Sequence, residues 1–151
     1  AQAETCNGID DDCDGQVDEE GAVGCSWYHA DKDSDGWGAE LDKKCLCQST
    51  GQYDKLSGGD CYDDNWQAKP WQTGWFEDDR GDGSFDYNCD GVETYQLDPM
   101  FYCNGACNFS TPGWYGFKPL CGQNGVYGTV CLDLFGWMCD IKNVTMQAAC
   151  H

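Results

Sequence analysis

Apolar residues in this chain come in short groups, separated by acidic and glycine-bearing runs. Residues 25–30, Cys-Ser-Trp-Tyr-His-Ala, read as a short strand leading into an acidic run. Residues 39–59 are a polar connection holding Cys45 and Cys47. Cysteines one residue apart point to opposite faces of an extended chain, so each is expected to bridge a different partner. Residues 60–66, Asp-Cys-Tyr-Asp-Asp-Asn-Trp, have two readings. Either Asp60, Asp63 and Asp64 complete the coordination of a neighbouring ion, or they cap one helical turn through Trp66 to Lys69 that Pro70 ends. From Gly125 to Trp137, β-branched and aromatic residues between glycines predict short strands with turns at the glycines. No convincing helix flanks the first acidic run, and no stretch is long and apolar enough to span a membrane. The expected fold is small and loop-dominated, with short β-strands and little helix.

Composition adds two constraints to that picture. Thirteen of the 151 residues are cysteine: Cys6, Cys13, Cys25, Cys45, Cys47, Cys61, Cys89, Cys103, Cys107, Cys121, Cys131, Cys139 and Cys150. That density marks a disulfide-rich scaffold and an oxidising compartment, so the protein is expected to be secreted or at the cell surface. Zinc fails on spacing, because no C-x-x-C pair exists and there are two histidines. The opening Ala-Gln-Ala suits a mature exported chain. Charge is the second constraint. With 27 acidic against 8 basic residues, the formal charge is −19. Disordered acidic chains are poor in aromatics; this one has 7 Trp, 8 Tyr and 6 Phe. It is therefore expected to fold with bound cations relieving its self-repulsion, and four divalent ions would bring −19 to −11. No basic patch invites nucleic acid. Acidic residues thin out from Asp98, which divides the chain into an acidic region, 1–97, and a Cys- and aromatic-rich region, 98–151. The second is either a cap or a small β domain, and its six cysteines suffice for three bridges.

The acidic runs carry the candidate chemistry. Asp10-Asp-Asp12-Cys-Asp14-Gly15 alternates carboxylates ahead of a glycine, as the first half of a calcium loop does. Positions 1, 3 and 5 give side-chain oxygens, and the glycine at 6 allows a sharp turn. Gln16 at position 7 offers its carbonyl, Val17 an apolar anchor, and Asp18 at position 9 a carboxylate or a bound water. Gly21 stands where an EF-hand has its bidentate Glu, so this is a calcium loop and not an EF-hand. One such run alone reads as a solvated acidic turn, but the pattern recurs. Asp31-Lys-Asp33-Ser-Asp35-Gly36 adds the carbonyl of Trp37 and, at position 12, Asp42. Asp86-Tyr-Asn88-Cys-Asp90-Gly91, closing at Glu93, uses an Asn oxygen at position 3. An overlapping run places Asp78, Asp82, Gly83, Phe85 and Asp86 at positions 1, 5, 6, 8 and 9. Arg80 is wrong for a ligand at its position 3, so that copy is degraded or uses Asp79. Oxygen donors of this kind predict Ca²⁺, about three or four ions, over zinc or copper.

The residues from Glu4 to Gly15, Glu-Thr-Cys-Asn-Gly-Ile-Asp-Asp-Asp-Cys-Asp-Gly, with Asp18-Glu19, resemble the signature of the MopE-type metal-binding repeat. Tyr28, the run from Asp31 to Gly38, and Gly59-Asp-Cys61-Tyr-Asp-Asp64 resemble its other half. Asp86 to Glu93 is similar but diverged. The resemblance covers about residues 4–93 and implies divalent-cation binding by an exported, surface-attached bacterial protein. Copper in that family context would use His and modified Trp. The histidines available are His29 and His151, and oxygen-rich loops favour Ca²⁺.

The preferred reading is a calcium-binding extracellular structural protein, with a sharper version in which it is a self-assembling filament or surface-layer subunit. The alternative is a secreted carbohydrate- or surface-binding module whose partner is a glycan, suggested by the tryptophans. A secreted hydrolase ranks third. No Ser-His-Asp or Cys-His arrangement is evident and His29 reads as structural, so the chain is expected not to be an enzyme. Arg80-Gly81-Asp82 spells the integrin tripeptide but lies inside a metal run. Asn108-Phe-Ser110 and Asn143-Val-Thr145 fit the N-glycosylation pattern. An odd cysteine count leaves at least one thiol free or bonded to another chain. Cys6 near one end and Cys150 near the other suggest a head-to-tail bond, giving a ring or a filament of identical chains. The competing reading is a monomer with one buried free thiol.

Overall fold

A computed structural model describes residues 2–97, 99–100, 102–103, 110–134 and 138–151, with 102–103, 110, 131–134 and 138–141 described by backbone alone. The described residues contain no helix. The strands are β1 (Ser26–Ala30), β2 (Lys43–Leu46), β3 (Tyr53–Lys55), β4 (Tyr102–Cys103), β5 (Ser110–Thr111), β6 (Gly113–Trp114), β7 (Asn124–Leu134) and β8 (Met138–Gln147). They form antiparallel sheets ordered β2-β1-β3, β4-β5 and β6-β7-β8. The disulfide-rich, loop-dominated fold expected from the sequence is what the chain adopts. One expectation fails: β7 does not break into short strands at its glycines. It runs through Gly125 and Gly128, and the ladder to β8 absorbs the second as an irregularity between Gly128 and Val130. A glycine inside a strand marks a bulge as readily as a turn. Residues 60–69 make turns and no helix, so the one-turn helical reading also fails.

The chain divides into two compact units, residues 1–72 with 87–90, and residues 73–86 with 91–151. The compositional boundary at 97/98 falls inside the second. The first unit is built around β1. Its outer end, Ser26 and Trp27, is exposed, while His29 and Ala30 are buried. Cys25–Cys45 and Cys6–Cys47 tie the start of the chain to the β2 region, and Cys61–Cys89 holds the acidic turn at residues 60–64. Cys45 and Cys47 thus bridge different partners, as their alternation requires. In the second unit Trp114 is buried, donates from Nε1 to the Leu97 carbonyl at 2.6 Å, and meets the Tyr127 ring edge-on at 5.4 Å. Cys121–Cys150 closes that unit, and the Cys150 backbone exchanges hydrogen bonds with Phe76.

Both cysteines nearest the ends, Cys6 and Cys150, are therefore bonded within the chain, which removes the head-to-tail bond expected between them. Among the described residues the free thiol is Cys13, and it is exposed, not buried. The expected bridges of Cys103, Cys107, Cys131 and Cys139 lie outside the described side chains, as does the Asn108 sequon.

Candidate metal centre

All four acidic runs share one backbone signature. Their fourth and sixth residues have positive φ: Cys13 (64°) and Gly15 (96°), Ser34 (65°) and Gly36 (98°), Gly81 (123°) and Gly83 (88°), Cys89 (59°) and Gly91 (84°). The left-handed conformation disfavours Cys and Ser, so something local must hold it. Carboxylates do this by accepting the N–H groups of the turn. Gly15 N–H donates to Asp10 Oδ2 at 2.9 Å, Asp14 N–H to Asp12 Oδ1 at 3.1 Å, and Gln16 N–H to Asp14 Oδ1 at 2.9 Å. Asp35 N–H donates to Asp31 Oδ1 at 3.2 Å and Asp33 Oδ1 at 3.1 Å, and Trp37 N–H to Asp35 Oδ1 at 2.8 Å. One oxygen of each aspartate organises the turn, and Asp10 Oδ1, Asp33 Oδ2 and Asp35 Oδ2 remain buried without a donor, while Asp14 Oδ2 accepts Gln16 Nε2 at 3.2 Å and Asp31 Oδ2 pairs with Lys55.

The second run is the most developed site. Ala30 and Asp31 leave β1, and the chain returns so that Ala39 N–H donates to the Ala30 carbonyl at 2.7 Å. Residues 38–40 then pair with Asp60, where Asp60 N–H reaches the Gly38 carbonyl at 3.1 Å and Ala39 and Asp60 form a parallel bridge. The approach is so close that a Cβ on Gly38 would fall on His29 Cβ, and one on Gly58 on the His29 ring. His29 is a packing residue here, with Nδ1 donating to the Ala39 carbonyl at 2.8 Å. The result is that Asp60 and Asp63 are carried against Asp31, Asp33 and Asp35. Asp63 Oδ1 accepts Lys32 N–H at 2.9 Å, and Asp60 Oδ1 accepts Tyr62 N–H at 2.7 Å.

Five carboxylates are thereby brought together, four with buried side chains and Asp33 half-buried. Asp60 is 3% exposed, Asp31 and Asp63 are buried, and the Asp35 side chain is 0% exposed. The Oδ2 atoms of Asp33, Asp35, Asp60 and Asp63 are buried and accept no hydrogen bond. The ammonium groups of Lys69 and Lys32 approach Asp35 and Asp63 no closer than 3.7 Å, at the rim, while Lys55 pairs with Asp31 at 2.9 Å. A buried carboxylate oxygen without a donor is costly, and a cation is the ordinary remedy. Burial, reinforced by the charges of Asp33, Asp35 and Asp63, pushes the Asp60 carboxyl up to about 7. Burial likewise raises Asp33 and Asp63.

The first run gathers a partly exposed cluster of the same kind. Glu4 joins it from outside, accepting the N–H groups of Asp11 and Asp12 on Oε1 at 2.7 and 2.9 Å. Glu4, Asp10 and Asp12 lie within one another's reach, as do Asp12, Asp14 and Glu19. Asp10 Oδ1 and Glu19 Oε2 are buried without hydrogen bonds. Glu4 and Glu19 are ligand candidates that the loop register misses. Asp18, expected at position 9, instead accepts Asn7 and Gly8 N–H at 2.9 and 3.0 Å and closes the turn.

The other expected ligands make these contacts. Asp42 accepts the Tyr53 hydroxyl at 2.9 Å. Asp64 is exposed and joins no cluster among the described residues. Gln16 and Trp37, expected to offer carbonyls, donate their N–H groups to Asp14 and Asp35, which leaves those carbonyls open as ligands. In the run from Asp78, Arg80 supplies the cation itself. Its side chain is 10% exposed, holds Asp82 from Nε and Nη2 at 3.0 Å, and reaches the Asp86 carbonyl at 2.6 Å. The guanidinium draws the Asp82 carboxyl below its ordinary range. Asp79 helps order that turn by accepting Gly81 and Gly83 N–H at 2.8 and 3.2 Å. In the last run Asp86 accepts Gly91 N–H at 2.9 Å and Asn88 bonds Asp90 at 3.0 Å, while Glu93 accepts Phe85 N–H at 2.9 Å. Among the described residues Asp78, Asp82, Asp86, Asp90 and Glu93 join no cluster of three His, Cys, Asp or Glu side chains. Asp60 also lies near Cys61 and Cys89, but their sulfurs are spent in a disulfide.

No protein-family model, curated protein or solved structure matches the chain.

Proposed function

We propose that this protein is an extracellular structural protein whose first unit is stapled by calcium. The observation that carries the reading is the group of Asp31, Asp33, Asp35, Asp60 and Asp63, four of whose oxygens are buried and accept no hydrogen bond. Its donor set is all hard oxygen, which suits Ca²⁺ far better than zinc or copper. The resemblance to MopE-type repeats points the same way, and the disulfides suit an oxidising exterior. The test is a melting curve with millimolar calcium and again with chelator. A transition raised by calcium and lowered by chelator is expected; identical curves overturn the reading.

Assembly of identical chains is the finer part of this proposal, and the exposed Cys13 thiol supports it. A second reading, glycan binding, draws on Trp71. That side chain is 84% exposed although its φ of 67° is unfavourable for a bulky residue, and it lines a hollow with Pro70, Asn88 and Asp90. Retardation in polysaccharide-containing gels that is lost in Trp71→Ala would favour this second reading.

A further inference from the structure

In both well-formed clusters the carboxylates group in the same way. Around the second run Asp31, Asp33 and Asp63 offer oxygens within 4.8 Å of one another, and so do Asp33, Asp35 and Asp60. Around the first run the sets are Glu4, Asp10, Asp12 and Asp12, Asp14, Glu19. Each time the aspartate at position 3 belongs to both sets. Each time one outside carboxylate serves the position-1 side and another the position-5 side. Calcium holds oxygens at about 2.3–2.6 Å, so the oxygens around one ion are at most about 5 Å apart. A set of three meets that limit.

From this shared membership we infer that the second run binds two calcium ions side by side, bridged by the carboxylate of Asp33. Asp31 and Asp63 complete one ion's acidic ligands; Asp35 and Asp60 complete the other's. The inference rests on the calcium reading above and deepens it. Two independent observations support it beyond the acidic cluster. The first is the set of deeply buried, undonated oxygens, which fall on both sides of Asp33: Asp63 Oδ2 on one, Asp35 Oδ2 and Asp60 Oδ2 on the other. A single ion between Asp33, Asp35 and Asp60 would leave Asp63 Oδ2 without a donor.

The second is where the ammonium groups lie. Lys55, Lys32 and Lys69 pair with Asp31, Asp63 and Asp35. Asp33, the residue common to both sets, has no ion pair among the described residues and keeps its Oδ2 buried without a donor.

The test uses the full chain with its disulfides intact. Native mass spectrometry in calcium counts ions in wild type, Asp33→Asn, Asp60→Asn and Asp63→Asn, with near-ultraviolet circular dichroism checking that each is folded. The expected result is a loss of two ions in Asp33→Asn and of one in each of the others. Loss of a single ion from Asp33→Asn overturns the bridge and leaves the calcium staple standing. A wild type that binds no calcium sinks the staple itself. Should Asp33→Asn not fold, wild type loaded with Mn²⁺ decides by electron paramagnetic resonance. A carboxylate-bridged pair gives an exchange-coupled spectrum, and a spectrum of isolated Mn²⁺ alone overturns the inference.

Discussion

Asp60 is the residue on which the most physics converges. Its carboxyl is buried, faces other carboxylates, and in the metal-free chain titrates near 7 instead of 3.8. A carboxyl whose pKa is raised by folding holds its proton better in the folded state, so its contribution is fully present below the unfolded pKa and fades as pH rises through the folded one. In chelator, the urea midpoint should therefore fall between pH 4 and pH 7, and Asp60→Asn should flatten that fall. The raised Asp33 and Asp63 act in the same direction. Asp82, lowered by Arg80, has the opposite sign, and its contribution is lost only as the pH falls below its ordinary value. A midpoint that climbs steadily from pH 4 to 7 in chelator would contradict this account.

At the scale of the element, the turn is the structural unit, and the sequence shows it well. The spacing of Asp10, Asp12, Asp14 and of Asp31, Asp33, Asp35 ahead of a glycine identifies turns whose carboxylates face inward. What spacing does not carry is who arrives from elsewhere. Asp60 was legible as a candidate from its own acidic knot. Glu4 and Glu19 were not assigned, because a loop register counted from Asp10 contains no position for them. Arg80 was recognised as a misfit, though its role as a resident cation requires seeing Asp82 and the Asp86 carbonyl around it. Replacing it by Asn restores an oxygen at position 3. Arg80→Asn should then bind one more calcium ion than wild type in native mass spectrometry, and an unchanged count would show that Asp78, Asp82 and Asp86 do not converge. The crossing of residues 38–40 with Asp60 gives a second prediction. A Cβ at Gly38 meets His29 Cβ and comes within 3.1 Å of the Ala30 carbonyl oxygen, so Gly38→Ala should destabilise the first unit by about 2 kcal/mol or more, as forced overpacking does. It should also weaken calcium binding, because Asp60 N–H hangs on the Gly38 carbonyl. A melting curve matching wild type would mean that the strand crossing yields freely.

For the whole molecule, the problem is core size. Each unit has roughly 75 residues, and at that length a hydrophobic core alone rarely supplies more than about 3–5 kcal/mol. In the first unit the buried apolar residues are Ala22, Ala30, Cys45, Ala68 and Tyr87, mostly small. Three disulfides lie there, and calcium would add to them. At extracellular affinities, millimolar calcium contributes about 0.4–1.4 kcal/mol per site. Charge shapes association as well as stability. At −19, chains repel one another until cations bind, so contact between copies should require calcium. Among the described residues, Cys13 is the thiol open to covalent association. It sits between Asp12 and Asp14 in the first cluster, exposed and unbonded. A bond at Cys13 joins two chains and no more, so it gives a dimer, and any longer assembly through it must be non-covalent. On non-reducing electrophoresis after exposure to air in calcium, a band at twice 16.7 kDa should appear and collapse with reductant. Chelator should slow its formation by restoring repulsion. Cys13→Ser should abolish the band without shifting the melting temperature, since the thiol supports no bond within the chain. A ladder beyond the dimer, or a dimer that survives Cys13→Ser, would place the link at another cysteine.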